Sequence, residues 1–212
     1  MPLPLEPNRI CFFGDSQMGS LRHALRDGFT EAPADAHVEF WGATGPSFRL
    51  IEWRDGAVRA KGRALEMALT INGNGREALV PADFDTVIFY GARFRVTEFF
   101  GPYLHWIDET GQVPSSAVLQ ASAKTFVAYT RAYRIARELA KAGCNVLFVP
   151  APFYTDGITD IDRQGRFLGF FPGAARATAD HRALLCGALA DAAAQDGIII
   201  VPQPEDTVTR GA

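Results

Sequence analysis

Long apolar runs, concentrated positive charge and paired cysteines are all scarce in this 212-residue chain. No uninterrupted apolar stretch is long enough to cross a bilayer, so no membrane span is expected. Met1-Pro-Leu-Pro-Leu-Glu6 has neither the basic region nor the apolar core of a secretory signal, so the expected location is the cytoplasm, although a chain trimmed of its signal would read the same way. Cys11, Cys144 and Cys186 are odd in number and widely spaced, which fits neither a disulfide framework nor a metal knuckle, and each reads as a small buried hydrophobe. With 21 Lys and Arg against 24 Asp and Glu, the formal net charge is -3. That balance creates no general field for nucleic acid or anionic lipid unless one face is locally basic, and the expected partner is a small molecule or another protein. Internal repeats, low-complexity tracts and linkers are also lacking, so residues 1–212 read as a single domain.

At 48% hydrophobic and 21% charged, the chain has apolar mass for one sizeable core. Arg9-Ile-Cys-Phe-Phe13, His37-Val-Glu-Phe-Trp41, Asp85-Thr-Val-Ile-Phe-Tyr90, Asn145-Val-Leu-Phe-Val149 and Gly197-Ile-Ile-Ile-Val201 read as five strands, the first and third stopped at once by glycine. Helices are expected from Gln17 to Gly28, from Ser115 to Gly143 as one long element, and from Ala174 to Gln195. Asp55-Gly56 marks a small inserted hairpin. Strands alternating with helices imply a three-layer α/β/α sandwich on a five-stranded parallel sheet, a flavodoxin-like arrangement whose ligands sit beyond the C-terminal strand ends.

At the end of the first strand, Phe13-Gly14-Asp15-Ser16 puts a hydroxyl at a strand-to-helix turn. Unpaired N–H groups and the helix dipole there stabilise developing negative charge, which suits a nucleophile and the oxyanion its attack creates. The competing reading is that Asp15 or Ser16 caps the helix and nothing more. Ile10-Cys-Phe-Phe-Gly-Asp-Ser-Gln17 resembles the first block of the SGNH/GDSL hydrolases, and the succession of strands and helices is similar across nearly the whole chain. The resemblance implies a serine esterase or acyl hydrolase with Ser16 as nucleophile and Asp15 beside it. It assigns the backbone N–H of Gly45, in Ala43-Thr44-Gly45, to the oxyanion hole, with Gly42 as the fallback. It implies no metal and no organic cofactor, and a substrate that is a carboxylic ester of a sugar, lipid or small molecule. The acyl and alcohol parts and the oligomeric state are open.

Two departures from the family pattern stand out. Gly91-Ala92-Arg93-Phe94 has arginine where the third block places asparagine, and an arginine there can donate to an oxyanion or hold an anionic substrate group; the alternative is that Arg93 and Arg95 pair with Glu98 or Asp108 as surface ions. The Asp-x-x-His that supplies the base in that family occurs nowhere, and Pro202-Gln-Pro-Glu-Asp-Thr-Val-Thr-Arg-Gly-Ala212 stops before it is expected. Three explanations follow: a chain lacking its C-terminal segment, an SGNH-like domain that binds without hydrolysing, or a substitute base among His23, His37, His105 and His181. His105, in what reads as an aromatic loop from Phe99 to Trp106, is the first choice among these.

Trp41, Phe94, Phe99, Phe100, Tyr103, Trp106, Phe153, Tyr154, Phe167, Phe170 and Phe171 crowd the loops expected near the site, where they either line an acyl pocket or pack the loops. Gly73-Asn-Gly75 joins no buried strand to a helix and is not read as a dinucleotide fingerprint. Asp156, Asp160 and Asp162 lack the central glycine and closing glutamate of a calcium loop.

Overall fold

A computed structural model of the chain describes residues 8–153 and 170–209. β1 (Asn8–Gly14), α1 (Ser16–Arg26) and β2 (Ala36–Gly42) open the fold. A 3-10 turn (Gly45–Leu50), the hairpin β3 (Ile51–Arg54) and β4 (Ala57–Ala60), α2 (Arg63–Asn72) and the two-residue β5 (Ala78–Leu79) follow. Then come β6 (Thr86–Gly91), α3 (Val96–Thr110), α4 (Ser116–Tyr129), α5 (Arg131–Lys141), β7 (Asn145–Pro150), α6 (Ala179–Ala194) and β8 (Ile198–Ile200).

All five long-range strands are parallel, in the order β2-β1-β6-β7-β8. The apolar runs of the sequence form this sheet because a parallel sheet is covered on both faces and tolerates apolar residues at every position. In register, Phe13 stands opposite Trp41 and Phe89, and Phe89 opposite Phe148; all four rings are fully buried. Phe89 and Phe148 stack with centroids 4.5 Å apart, and Tyr133 of α5 lies 6.1 Å from Phe148. Burying each such ring stabilises the fold by about 1.5–3 kcal/mol. The alternate residues Phe12, Phe40, Ile88 and Leu147 face the other way and are half-buried. Met18 of α1 approaches Gly14 on that side, which places α1 over that face of the sheet. The result is the expected three-layer α/β/α sandwich, and no helix among the described residues is long and apolar enough to cross a membrane.

The hairpin belongs to a separate antiparallel sheet, β3-β4-β5, turned by Asp55 and Gly56 in the left-handed region. Arg76, between α2 and β5, anchors this insertion to β2. Its Nε and Nη2 donate to the Glu39 carboxylate at 2.8 and 3.0 Å, and Asn72 Nδ2 donates to the same group at 2.8 Å.

Three helix expectations need correction. The stretch read as an aromatic loop is α3, in which Val96, Phe100, Leu104 and Ile107 are buried at helical spacing. Gly101-Pro102 and the β-favouring aromatics hid that period, and burial of the apolar stripe overrides them. The long helix from Ser115 breaks at Thr130, whose extended backbone (φ -76°, ψ 119°) separates α4 from α5. The helix read from Ala174 begins as a 3-10 turn (Pro172–Arg176), and α6 starts only after Thr178, which caps it together with His181. The three cysteines are free, Cys11 and Cys144 buried and Cys186 half-buried.

Candidate active site at the switch point of the sheet

The strand order reverses direction between β1 and β6, and the crevice of such a sheet opens there, beyond the strands' C-terminal ends. Gly14 brings β1 unusually close to β6, and Gly42 brings β2 unusually close to β1, at this edge. A Cβ on Gly14 would lie 2.2 Å from the Tyr90 carbonyl oxygen, and one on Gly42 would lie 2.0 Å from that of Gly14. Backbone carbonyls cannot yield that much, so no residue with a side chain fits either position without moving a strand.

Asp15 is the N-cap of α1, its Oδ1 accepting from the Gln17 N–H at 3.1 Å. Ser16 is the first helical residue and is exposed; neither its hydroxyl nor its N–H bonds to another described residue. Capping and a free hydroxyl therefore coexist here, on adjacent residues. The other Asp15 oxygen, Oδ2, accepts from the Arg93 N–H at 3.2 Å, and the Arg93 Nη1 donates to the Gly45 carbonyl at 3.3 Å. Asp15 and Arg93 thus tie together the loops that follow β1, β2 and β6. The Gly45 N–H, at the start of its 3-10 turn, makes no bond to a described residue.

The turn after β6 is strained. Gly91, Ala92 and Arg93 have φ of +67°, +44° and +55°, three consecutive left-handed residues of which two carry a Cβ. Strain of this kind clusters at working sites because the surrounding structure must hold it in place. Gln17 lies against this turn: a Cβ on Gly91 would meet its Oε1 at 2.4 Å, and that oxygen is buried with no hydrogen-bond partner among the described residues. A buried acceptor without a donor is costly, and a ligand hydroxyl or amide could satisfy it. The sequence signalled nothing about Gln17, because a glutamine in the first turn of a helix ordinarily points into solvent.

Among the described residues Arg93 makes no ion pair, only the bonds to Asp15 and to the Gly45 carbonyl. Arg95 does pair with Glu98, at 3.8 Å, as expected, whereas Asp108 is bound by Arg176, whose guanidinium holds the Asp108 carboxyl below the usual carboxylate range.

The histidines are all occupied or distant. His105 sits nine residues into α3, about 14 Å along it, and its Nδ1 accepts from the Gly173 N–H at 3.2 Å, so it fastens the 3-10 turn ahead of α6. Phe171 packs on its ring. His23 is exposed in the last turn of α1, about 10 Å along the helix from Ser16. His37 lies five residues before Gly42 on β2, about 16 Å down the strand, and faces Glu39 at 3.4 Å. His181 Nδ1 accepts from the Thr178 N–H at 3.4 Å in the cap of α6.

Most of the aromatics expected in loops are core. Trp41, Phe94 and Phe100 are fully buried, Phe99 and Phe153 nearly so, and Tyr103 donates to Ser122 between α3 and α4. Trp106 and Phe170 are exposed, and Tyr154, Phe167, Asp156, Asp160 and Asp162 lie outside the described residues.

Beside Arg93 opens a cavity of about 550 Å³. Its wall includes Phe48 and Arg49 from the 3-10 turn after β2, Arg95 and Glu98 from the start of α3, and Tyr129, Thr130 and Arg131 from the break between α4 and α5. Comparison with protein families, curated proteins and solved structures finds nothing that matches this chain.

Proposed function

We propose that the chain is a serine acyl hydrolase of the SGNH kind, acting on a carboxylic ester of a sugar, lipid or small molecule. The observation that carries this reading is Ser16 itself: a free hydroxyl and a free N–H at the start of α1, in the crevice of the sheet, with Asp15 and Arg93 drawing the other two loops around it. In this reading Ser16 Oγ adds to the ester carbonyl and gives up its proton to a base. The N–H groups of Ser16 and Gly45 and the Arg93 guanidinium stabilise the tetrahedral oxyanion. The alkoxide departs with a proton, and water hydrolyses the acyl-serine to a carboxylic acid and free Ser16.

A second reading, a domain of the same fold that binds an ester-like ligand without cleaving it, is favoured by the histidines, since each is committed or distant from Ser16. One experiment separates the two. A fluorophosphonate probe should label the wild-type protein and not the Ser16→Ala variant. Absence of labelling in folded wild-type protein would leave the binding domain as the function.

A further inference from the structure

The cavity beside Arg93 has a charge opposite in sign to that of the chain. Four arginines line it, Arg49, Arg93, Arg95 and Arg131, against one acidic residue, Glu98. The whole chain is formally -3. Only Arg95 faces Glu98, at 3.8 Å; Arg93 and Arg131 donate to backbone carbonyls, those of Gly45 and Ile51 at 3.3 and 3.0 Å, and keep their full charge. Arg49 is exposed and bonds to no described residue. Guanidinium groups gathered in a concave site repel one another unless an anion joins them, and their fork of donors matches a carboxylate or phosphate.

The backbone adds to the same field. Thr130, Arg131 and Ala132, the start of α5, lie on the wall, and the first turn of that helix has neither a side-chain cap nor an acidic residue. The positive end of that helix dipole therefore belongs to the same wall as the arginines. Phe48, Phe126 and Tyr129 supply apolar surface beside the charge, and Tyr129 is 82% exposed. A volume of about 550 Å³ suits a small molecule, and a polymer would need a continuous groove.

We infer that this cavity binds the anionic group, carboxylate or phosphate, of a small organic molecule whose apolar or ring portion lies on Phe48, Phe126 and Tyr129. Anion binding stands on the cavity alone. Its consequence for catalysis, that the preferred substrate is an ester bearing such a group, rests on the hydrolase reading, with Arg93 shared between the two.

The test pairs a binding arm with a reaction arm. In calorimetric titrations, phenyl phosphate and benzoate should bind the wild-type protein and benzyl alcohol should not, and which anion binds more tightly identifies the source of the charge. Arg49→Gln removes a charge that holds nothing else in place, and should weaken binding of the anion about tenfold. Arg131→Gln should do the same, with circular dichroism checking that the hairpin contact at Ile51 is not needed for folding. Ser16→Ala should bind as the wild type does. In the reaction arm, kcat/KM for the mono-4-nitrophenyl ester of succinic acid should exceed that for 4-nitrophenyl acetate, and Arg49→Gln should erase the preference while leaving the acetate rate unchanged. Binding that is absent, or indifferent to Arg49, overturns the inference whatever the esterase result. Anion binding with no hydrolysis of either ester overturns the hydrolase reading and leaves the anion site standing.

Discussion

Arg93 is where stability and the site pull in opposite directions. Its φ of +55° puts a Cβ-bearing residue in the left-handed region, at a cost of about 1–2 kcal/mol, and Asp15 holds it there through its backbone N–H. Arg93→Gly keeps that backbone bond and removes the steric penalty, so the variant should unfold at equal or higher denaturant while losing fluorophosphonate reactivity at least about tenfold. Urea denaturation and labelling rates measured side by side check this. A parallel loss of both would mean that the side-chain bond to Gly45, and not the charge in the crevice, is what the residue contributes. The Gly14 and Gly42 contacts belong to the same scale: the edge of the sheet tolerates no Cβ there because two backbones already touch.

Among the elements, α3 does work that its sequence disguises. One end, at Arg95, borders the basic cavity, and further along its face His105 and Asp108 clasp the 3-10 turn before α6, where a Cβ on Gly173 would lie 2.8 Å from both. His105→Ala should therefore lower stability by about 1 kcal/mol, a shift of about 2–4 °C in Tm for a domain of this size, and leave labelling of Ser16 unchanged. Thermal melts and the probe reaction on the same sample check both halves. A loss of labelling without a loss of stability would instead make His105 part of the chemistry. The strands were legible because uninterrupted apolar runs between glycines have few other uses in an α/β chain, and the observed bounds lie within one or two residues of those read. α3 was not, since Gly101-Pro102 breaks the local helix signal and only tertiary burial restores it. The break at Thr130 was invisible for the opposite reason: apolar residues continue on both sides of it, and no glycine or proline marks it.

Across the whole molecule, charge is distributed unevenly in a way no total reveals. The nucleophile turn could be read from a contiguous stretch, but Arg49, Arg93 and Arg131 are far apart in the chain and meet only through the fold, so the basic cavity lay beyond sequence reasoning. A second tertiary charge cluster governs stability. Glu39 is only 7% exposed; its hydrogen bonds from Arg76 hold its carboxyl below the usual carboxylate range despite burial, and Asn72 assists. A carboxyl with a depressed folded value contributes fully above its unfolded value, about 4.3, and its contribution is lost as pH falls below that toward the folded value. Glu39→Gln should thus lower the unfolding free energy at pH 7 by about 1–3 kcal/mol and flatten its decline below about pH 4. Urea titrations across pH 3 to 7 measure both, and an unchanged acid limb would remove Glu39 from the account.

The β3-β4-β5 sheet shares no strand pairing with the five-stranded one, yet the Ile51 carbonyl at its start holds Arg131 at the cavity wall. Ile51, Val58 and Leu79 of that sheet are buried in the core, but the hairpin tip from Arg54 to Gly56 is exposed and can be exchanged without unmaking it, while a change in the path of the chain at Ile51 shifts the Arg131 guanidinium. Inheritance can redraw ligand preference through the insertion and leave the Ser16 turn as it is: two parts of one gene, free to diverge at different rates.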